Sequence, residues 1–236
     1  MSHLNDPAVV REQYATEQGL QARQALWHEL EGTNPKDALW DAIVACAPRR
    51  VLEVGGGQGW LSERIATELR VEVTMIDQSE RMVELARERG VDAHVGDVQA
   101  LPFEAESFDL VIAAWMLYHV TDLDVGLSEI ARVLEPGGQL IANTNSKFHA
   151  MEVFELIGYP ADARAELFNA ENGEESLRRH FATVERTDVE AWATVRDRQI
   201  LVDYRASLMV PTMPVPDDVP LPLRVGSRGV VFVATR

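Results

Sequence analysis

Four glycines lie within five residues of the sequence, at Gly55, Gly56, Gly57 and Gly59. They stand between a short run of β-forming residues and a helix-forming segment. Glycine lets the backbone turn sharply and lets a ligand approach without a Cβ in the way. A strand-to-helix junction of this kind is where open α/β sheets bind nucleotide-like ligands. The sequence therefore predicts a ligand-binding turn, and the neighbouring residues have to identify the ligand.

Two common phosphate-binding motifs do not fit this turn. A phosphate loop ends in Gly-Lys-Ser/Thr, and no lysine follows these glycines. A dinucleotide-binding turn needs Gly or Ala at its sixth position, which Trp60 or Ser62 occupies, depending on the first glycine chosen. The spacing that fits is Gly-x-Gly-x-Gly from Gly55, with Glu53 two residues before it. A carboxylate there is badly placed for a pyrophosphate but well placed for a cationic amine.

Two further carboxylates follow at the ends of predicted strands. Asp77 lies about twenty residues after the turn, where a carboxylate can accept hydrogen bonds from both hydroxyls of a ribose. Asp97 follows Gly96 at the end of the next predicted strand. A helix-capping role for Asp77 and a turn role for Asp97 are the simpler alternatives.

The elements that would position these residues alternate regularly from residue 49 onward. Apolar stripes at helical spacing separate short β-forming runs, which predicts a parallel sheet with helices on both faces. Asn34-Pro35 and Ser79 are predicted to begin helices. A helix is also predicted over 198–209, and Pro136-Gly137-Gly138 is expected to end another. The strands are predicted at 51–54, 71–76, 92–95, 108–113, 139–143, 183–195 and 229–235.

Five motifs in this region occur in a fixed order, and together they resemble the class I S-adenosylmethionine-dependent methyltransferases. Within that family, they look like the small-molecule and ubiquinone/menaquinone-like "type 11" branch. The resemblance implies a Rossmann-like α/β fold: a seven-stranded, mostly parallel sheet with an antiparallel C-terminal strand, helices on both faces and a helical cap. The motifs are Val51-Leu-Glu-Val-Gly-Gly-Gly-Gln-Gly59, Ile76-Asp-Gln-Ser-Glu-Arg-Met82, Gly96-Asp97-Val98 with Leu101-Pro102-Phe103, Ser107-Phe-Asp-Leu-Val111, and Arg132-Val-Leu-Glu-Pro-Gly-Gly138.

The resemblance implies S-adenosyl-L-methionine as cofactor and S-adenosyl-L-homocysteine as product. Glu53 would hold the methionyl ammonium, directly or through water, and Asp77 the ribose. Asp97 would accept the adenine amino group, and the backbone N–H of Val98 would donate to a ring nitrogen. The implied cofactor-binding residues are Tyr14, Glu53, Gly55, Gly57, Gly59, Asp77, Gln78, Asp97, Val98, Ala114 and Trp115.

Methyl transfer is an in-line displacement, so the main task of the protein is alignment, which can lower a barrier by on the order of 7–11 kcal/mol. An oxygen or nitrogen acceptor also needs to lose a proton, which calls for a base. His119 is the leading candidate because the resemblance places it on the substrate side, with Tyr118 and His149 behind it. A structural role at the start of the next helix is the alternative for His119.

The segment Ala113-Ala-Trp-Met-Leu-Tyr-His119 also argues against several acceptor classes. It lacks the Asn/Asp-Pro-Pro-aromatic motif of enzymes that methylate amino groups of DNA bases. It lacks the Pro-Cys nucleophile of cytosine C5 enzymes, since Cys46, expected as a small core residue, is the single cysteine. It offers no acidic metal ligands of the catechol type, so no metal is predicted.

The resemblance and the element pattern predict one methyltransferase domain spanning 1–236. Residues 1–48 are expected to form an N-terminal helical cap and 49–146 the cofactor-binding core. Residues 147–180 would be a helical cap insertion, and 181–236 would supply the C-terminal strands that complete the sheet.

Composition restricts the partners and the compartment. The net charge of −16 repels phosphate backbones and argues against nucleic acid. One cysteine in 236 residues fits a reducing cytoplasm. No signal-peptide pattern is visible, and no apolar run approaches the roughly 18 residues of a membrane span. We therefore expect a cytoplasmic protein that does not insert into membranes, with an oligomeric state that the sequence does not specify.

The leading hypothesis is a methyltransferase acting on the oxygen, nitrogen or, less often, carbon of a small-molecule acceptor. Three alternatives stay open: methylation of RNA or protein, a non-catalytic S-adenosylmethionine-binding protein, and a nicotinamide-dependent oxidoreductase. No feature of the cap identifies the acceptor.

Overall fold

A computed structural model of the chain describes residues 5, 6, 9, 18–160, 165–208 and 212–236. One sheet holds all the strands in this part of the chain. They are β1 (Leu30–Gly32), β2 (Arg50–Val54), β3 (Glu72–Asp77), β4 (Asp92–Val95), β5 (Phe108–Ala114), β6 (Leu134–Asn145), β7 (Thr183–Val195) and β8 (Leu223–Thr235).

The described helices are short or of moderate length, and none of them is long and apolar enough to cross a membrane. A 3-10 turn, Leu117–His119, follows β5. The helices are α1 (Gln18–Leu26), α2 (Pro35–Ala45), α3 (Trp60–Leu69), α4 (Glu80–Glu88), α5 (Leu123–Val133), α6 (Met151–Leu156), α7 (Gly173–Arg178) and α8 (Arg198–Ala206).

The strand order in the sheet is β1-β7-β8-β6-β5-β2-β3-β4. Strands β2 to β6 pair in parallel, whereas β8 is antiparallel to both β6 and β7. This arrangement confirms the predicted Rossmann-like, mostly parallel sheet with an antiparallel C-terminal strand. Its parallel strands end along one edge, which brings their C-terminal residues together.

The sheet has eight strands in the described chain, not the seven expected. The additional strand is β1, within residues for which the sequence predicts only helices. Its backbone pairs antiparallel with β7, with Leu30 opposite Ala193 and Gly32 opposite Ala191. Three residues carry no recognisable β periodicity, and this strand is specified by a partner far along the chain.

Helix starts agree closely with the sequence. The Asn34 side chain accepts a hydrogen bond from the backbone N–H of Lys36 at 2.9 Å, and Pro35 occupies the first helical position of α2. The Ser79 hydroxyl accepts from the Met82 N–H at 3.3 Å and caps α4. Both caps satisfy backbone donors that a helix cannot pair internally.

Several boundaries differ from those expected. Helix α5 ends at Val133, before the Pro136-Gly137-Gly138 that was expected to end it. Strand β6 begins at once with Leu134, because Leu134 pairs with Phe108 across a register shift. Pro136-Gly137-Gly138 therefore lies within a strand and not in a separating turn. Helix α8 ends at Ala206 instead of residue 209, and β8 begins at Leu223 instead of residue 229.

Alternating residues of the strands pack under helices on the two faces of the sheet. On one face, Leu39 and Ile43 of α2 and Ile65 of α3 cover the central strands, with Cys46 partly buried beside them. The other face is covered by α5 and α7, through residues that include Leu127. A separate apolar cluster joins α1, α6 and α8 above the strand ends and forms the described part of the cap.

Candidate active site

The glycine turn connects β2 to α3 in a backbone conformation that favours glycine. Gly55, Gly57 and Gly59 have φ angles of 66°, 56° and 75°. A Cβ on Gly55 would lie 2.7 Å from the Cβ of Met116, so only glycine lets the turn approach the segment after β5. A Cβ on Gly57 would meet no atom within 4 Å, so the tip of the turn faces open space. The turn is both anchored and accessible to a ligand.

Asp77 ties this turn to the start of α4. Its Oδ2 accepts a hydrogen bond from the Gly57 N–H at 2.9 Å, and its Oδ1 accepts from the Ser79 N–H at 2.9 Å. Burial raises the pKa of Asp77, and these two hydrogen bonds act in the opposite direction. A carboxylate has about four lone-pair positions, so both oxygens can still accept from a ligand.

Glu53 lies directly beneath the turn, and only 2% of its surface is exposed. A Cβ on Gly56 would lie 3.0 Å from the Glu53 Cδ, which shows how closely the backbone covers the carboxyl group. The Ser62 hydroxyl donates a hydrogen bond to its Oε2. Burial, with a smaller contribution from the nearby charge of Asp77, raises the Glu53 pKa to about 7, and the hydrogen bonds from Ser62 oppose this shift only in part. Glu53 is therefore a buried carboxyl group close to the midpoint of its titration at neutral pH.

Asp97 lies on the loop after β4, next to the end of β3. The Gly96 N–H donates to the backbone oxygen of Asp77 at 3.0 Å, which joins the two strand ends. The Asp97 carboxylate is exposed and accepts hydrogen bonds from Gln99. Val98, which follows it, is buried.

A network around Arg132 holds the loop that follows Asp97. Its guanidinium donates to the backbone oxygens of Phe103 and Leu101 at 2.8 and 3.0 Å and forms an ion pair with Glu129 at 2.7 Å. Glu129 in turn accepts from the Leu101 N–H at 2.9 Å. Two of the sequence motifs, separated by about thirty residues, are thus parts of one structural clamp.

The segment after β5 carries a tryptophan in the left-handed region, Trp115, with φ 51°. Its backbone N–H donates to the backbone and side-chain oxygens of Asn143, both at 3.1 Å. Its indole Nε1 donates to the Asn145 Oδ1 at 3.3 Å. These contacts hold the strained residue at the carboxyl end of β5, beside Ala114 and facing the glycine turn through Met116.

The two candidate catalytic side chains lie in the 3-10 turn just beyond. His119 is buried, and the centroids of the Tyr118 and His119 rings are 4.4 Å apart. The third candidate, His149, is buried in the cap instead: its Nδ1 accepts from the Arg228 N–H at 3.2 Å, and its ring lies 4.6 Å from that of Trp27.

The structure thus brings most of the candidate residues to one edge of the sheet, around the carboxyl ends of β2 to β5. Gln78 is exposed directly after Asp77. Tyr14 lies outside the described residues. Sequence reasoning did not identify Ser62, Gln99, Asn143 or Asn145, which act on the candidate residues through hydrogen bonds between distant segments. Within the described ranges, no group of three or more His, Cys, Asp or Glu side chains could hold a metal ion.

The donors and acceptors at this edge fit the chemical groups of S-adenosylmethionine. A buried carboxyl group matches an ammonium, a carboxylate beside an open glycine turn matches a ribose diol, and an exposed carboxylate matches an exocyclic amine. The turn offers no lysine or arginine for a phosphate group.

Comparisons with known proteins agree with this geometry. The family model described as "Methyltransferase domain" matches residues 52–142. An uncharacterised methyltransferase of Mycobacterium tuberculosis is 31% identical over 179 residues, which is 73% of this chain and 69% of that protein. The ubiquinone/menaquinone biosynthesis C-methyltransferase of Dinoroseobacter shibae is 36% identical over 115 residues, 45% of this chain and 46% of its own.

Among solved structures, a phosphoethanolamine N-methyltransferase of Haemonchus contortus in complex with S-adenosylhomocysteine has the same fold. The match has a TM-score of 0.67 at 19% identity and covers 99% of this chain and 60% of that one. Sequence similarity to methyltransferases, the shared fold and the carboxylate-lined glycine turn lead to one conclusion. The chain belongs to the class I S-adenosylmethionine-dependent methyltransferases, in the type 11 branch, and uses S-adenosylmethionine as its methyl donor.

Proposed function

We propose that the protein transfers a methyl group from S-adenosylmethionine to an oxygen, a nitrogen or, less often, a carbon of a small-molecule acceptor. The observation that carries the proposal is the open glycine turn, with the Asp77 carboxylate bonded to its tip and the Glu53 carboxyl group beneath it. An accessible turn with two carboxyl groups and no lysine or arginine suits a cationic ligand that carries a ribose.

In this proposal each strand end binds one part of the cofactor. Glu53 faces the methionyl ammonium, Asp77 accepts from the ribose hydroxyls, and Asp97 with the Val98 N–H recognises adenine. The proposed set also includes the turn glycines, Gln78, Ala114, Trp115 and Tyr14. Residues 49–146 form the cofactor-binding core and 181–236 complete the sheet, while 1–48 and 147–180 contribute α1 and α6 to the cap. Helices α2 and α7 of the same two ranges pack on the faces of the sheet, and α8 joins the cap.

The bound cofactor supplies an electrophilic methyl group on a positively charged sulfur. The protein contributes alignment: the turn and the segment after β5 fix the donor, and the cap confines the acceptor. Met116 lies against Gly55, so apolar surface is available close to the methionyl end. His119, buried in the turn after β5, is the proposed base that accepts a proton from an oxygen or nitrogen acceptor.

Two observations support a small-molecule acceptor: the net charge of the chain and the acceptors named for similar proteins. A net charge of −16 disfavours RNA, because phosphate backbones require a basic surface. The names of similar proteins give small-molecule or carrier-bound acceptors with different target atoms: a quinone-pathway C-methyltransferase, a malonyl-carrier-protein O-methyltransferase and a phosphoethanolamine N-methyltransferase. The target atom therefore varies among relatives, and we propose a small acceptor methylated in the cytoplasm.

Incubation of the protein with methyl-labelled S-adenosylmethionine and fractionated cell extract tests this function. We expect label in the low-molecular-weight metabolite fraction, with none in the RNA and protein fractions. Label found in RNA or protein instead would replace the small-molecule proposal. Methyl transfer by other enzymes of the extract and spontaneous breakdown of the cofactor are controlled with the Asp77→Ala variant, which should transfer far less label at a cofactor concentration below its raised dissociation constant.

Replacement of His119 with glutamine or alanine tests the proposed base. With an oxygen or nitrogen acceptor found in the labelling experiment, we expect kcat to fall by about a hundredfold, within the usual range for general bases. The dissociation constant for S-adenosylmethionine should stay within about twofold of the wild-type value, since His119 is not assigned to the cofactor. His94→Ala, which changes an exposed histidine on β4, is the matched control. Wild-type kcat in the His119 variants would make that residue structural.

A further inference from the structure

One residue, Gln99, supplies every donor that the described residues provide to the Asp97 carboxylate. The Gln99 backbone N–H donates to Oδ1 at 2.9 Å. Its side-chain Nε2 lies 3.2 Å from Oδ1 and 3.1 Å from Oδ2. Asp97 is exposed, so without these contacts its carboxylate would rotate freely in water.

Gln99 is itself fixed by the helix that follows. Its Oε1 accepts a hydrogen bond from the Asp122 N–H at 2.8 Å. Because that partner is a donor, the amide oxygen must face Asp122, and the amide NH2 must face the Asp97 carboxylate. Asp122 is the N-cap of α5, where its Oδ1 accepts from the Val125 N–H at 3.1 Å. A chain of hydrogen bonds thus runs from the start of α5 to Asp97.

This connection lies at the surface and not in the core. Gln99 and Asp122 line an open cavity of about 660 Å³ together with residues of α5 such as Ser128. Hydrogen bonds at a solvated position contribute little to folding, because water can replace them in the unfolded chain. Their effect is on orientation: a carboxylate held in one position loses less entropy when it binds a ligand.

We infer that Gln99 is a positioning residue for adenine recognition: it holds the Asp97 carboxylate in the orientation that accepts the 6-amino group of the cofactor. This inference rests on the proposed role of Asp97. It assigns Gln99 a role that acts through Asp97, and it makes the N-cap of α5 part of the adenine site.

A pair of ligands that differ only in the 6-amino group tests the inference. Titration calorimetry would compare S-adenosylhomocysteine with its purine analogue, in which hydrogen replaces that amino group. Wild-type protein should bind the adenine compound about tenfold more tightly, the size expected for one charge-assisted hydrogen bond. Asp97→Ala should remove this preference.

Gln99→Met keeps the length of the side chain and the backbone N–H that donates to Asp97 but removes the side-chain donor, and it should reduce the preference to about threefold or less. Binding of the purine analogue should stay unchanged. Ser128→Ala, in the same cavity but without contact to Asp97, should keep the full wild-type preference.

Each alternative result has a distinct meaning. A full wild-type preference in Gln99→Met overturns the positioning role and leaves the proposed role of Asp97 intact. Equal weakening of both ligands by Gln99→Met also overturns it, because the residue would then support the loop as a whole. If wild-type protein binds both ligands equally, the proposed role of Asp97 fails and the inference fails with it.

Discussion

Asp77→Ala is expected to raise the dissociation constant for S-adenosylmethionine by about a hundredfold. In the proposed complex, the carboxylate accepts hydrogen bonds from both ribose hydroxyls. A hydrogen bond to a charged group contributes about 1.5–3 kcal/mol. Because Asp77 is partly exposed, we take the lower value for each of the two bonds, which gives about 3 kcal/mol in total and about a hundredfold in the dissociation constant. The same substitution removes the acceptor for the Gly57 N–H, so it also releases the tip of the turn.

Two further variants separate these contributions. Asp77→Asn keeps one oxygen for a backbone donor but loses the charge, so we expect an intermediate loss of affinity. Asp92→Ala removes an exposed carboxylate at the amino-terminal end of the neighbouring strand β4, opposite the carboxyl ends that form the site, and should leave affinity unchanged. Calorimetric titration and circular dichroism would give affinity and folded content for all three. Wild-type affinity in a folded Asp77→Ala protein would show that the ribose assignment is wrong.

The sequence predicted correctly those features that depend on residues close to one another in the chain, such as helix starts. Asn34-Pro35 and Ser79 begin helices as expected, because a capping side chain acts on backbone within three residues of itself. The alternation of strands and helices likewise predicted that the central strands pair in parallel, because parallel neighbours need a crossover that a helix supplies. Asp77 was predicted correctly at the end of its strand, because the run of β-forming residues before it and the helix cap Ser79 after it both lie within a few residues.

Features that depend on contacts between distant segments were not predictable from one sequence. Strand β1 exists because Leu30–Gly32 meets Ala191–Ala193, about 160 residues later. The Gln99 contact to Asp122 and the Asn143 contact to Trp115 likewise join segments that are far apart in the sequence. Glu53 illustrates the limit: the sequence indicated a carboxylate near the turn, but not its nearly complete burial or its Ser62 partner. The raised pKa of Glu53 follows from that burial.

Glu53 should make the ligand-free protein less stable as pH rises. Its pKa is about 7 in the folded protein, against 4.5 for an unperturbed glutamate. The folded state therefore keeps a proton that the unfolded chain releases between these values, so stability is lost as pH rises from about 4.5 to above 7. The full effect corresponds to about 3 kcal/mol. Deprotonation leaves a buried negative charge that Ser62 alone stabilises only in part.

Glu53→Gln, which mimics the protonated form, isolates this effect. We expect the free energy of unfolding of the variant, minus that of wild type, to be about 2 kcal/mol larger at pH 8.5 than at pH 5.5. Urea unfolding at the two pH values measures this difference. Glu88→Gln, an exposed substitution on α4, should show the same difference from wild type at both pH values. A Glu53→Gln difference that did not change with pH would mean that Glu53 titrates normally.

The same proton should be linked to cofactor binding, with the opposite dependence on pH. An ammonium group favours the ionised form of Glu53. With a pKa of about 7, the ionised fraction of Glu53 in the ligand-free protein rises from about one tenth at pH 6 to about nine tenths at pH 8. The ratio of the dissociation constants of Glu53→Gln and wild type should therefore grow by about tenfold over this range, and the cofactor's own titration cancels in that ratio. A constant ratio, together with the expected change in stability, would place the ammonium away from Glu53. In that case the carboxyl group would support the turn through Ser62 and Gly56 without contacting the methyl donor.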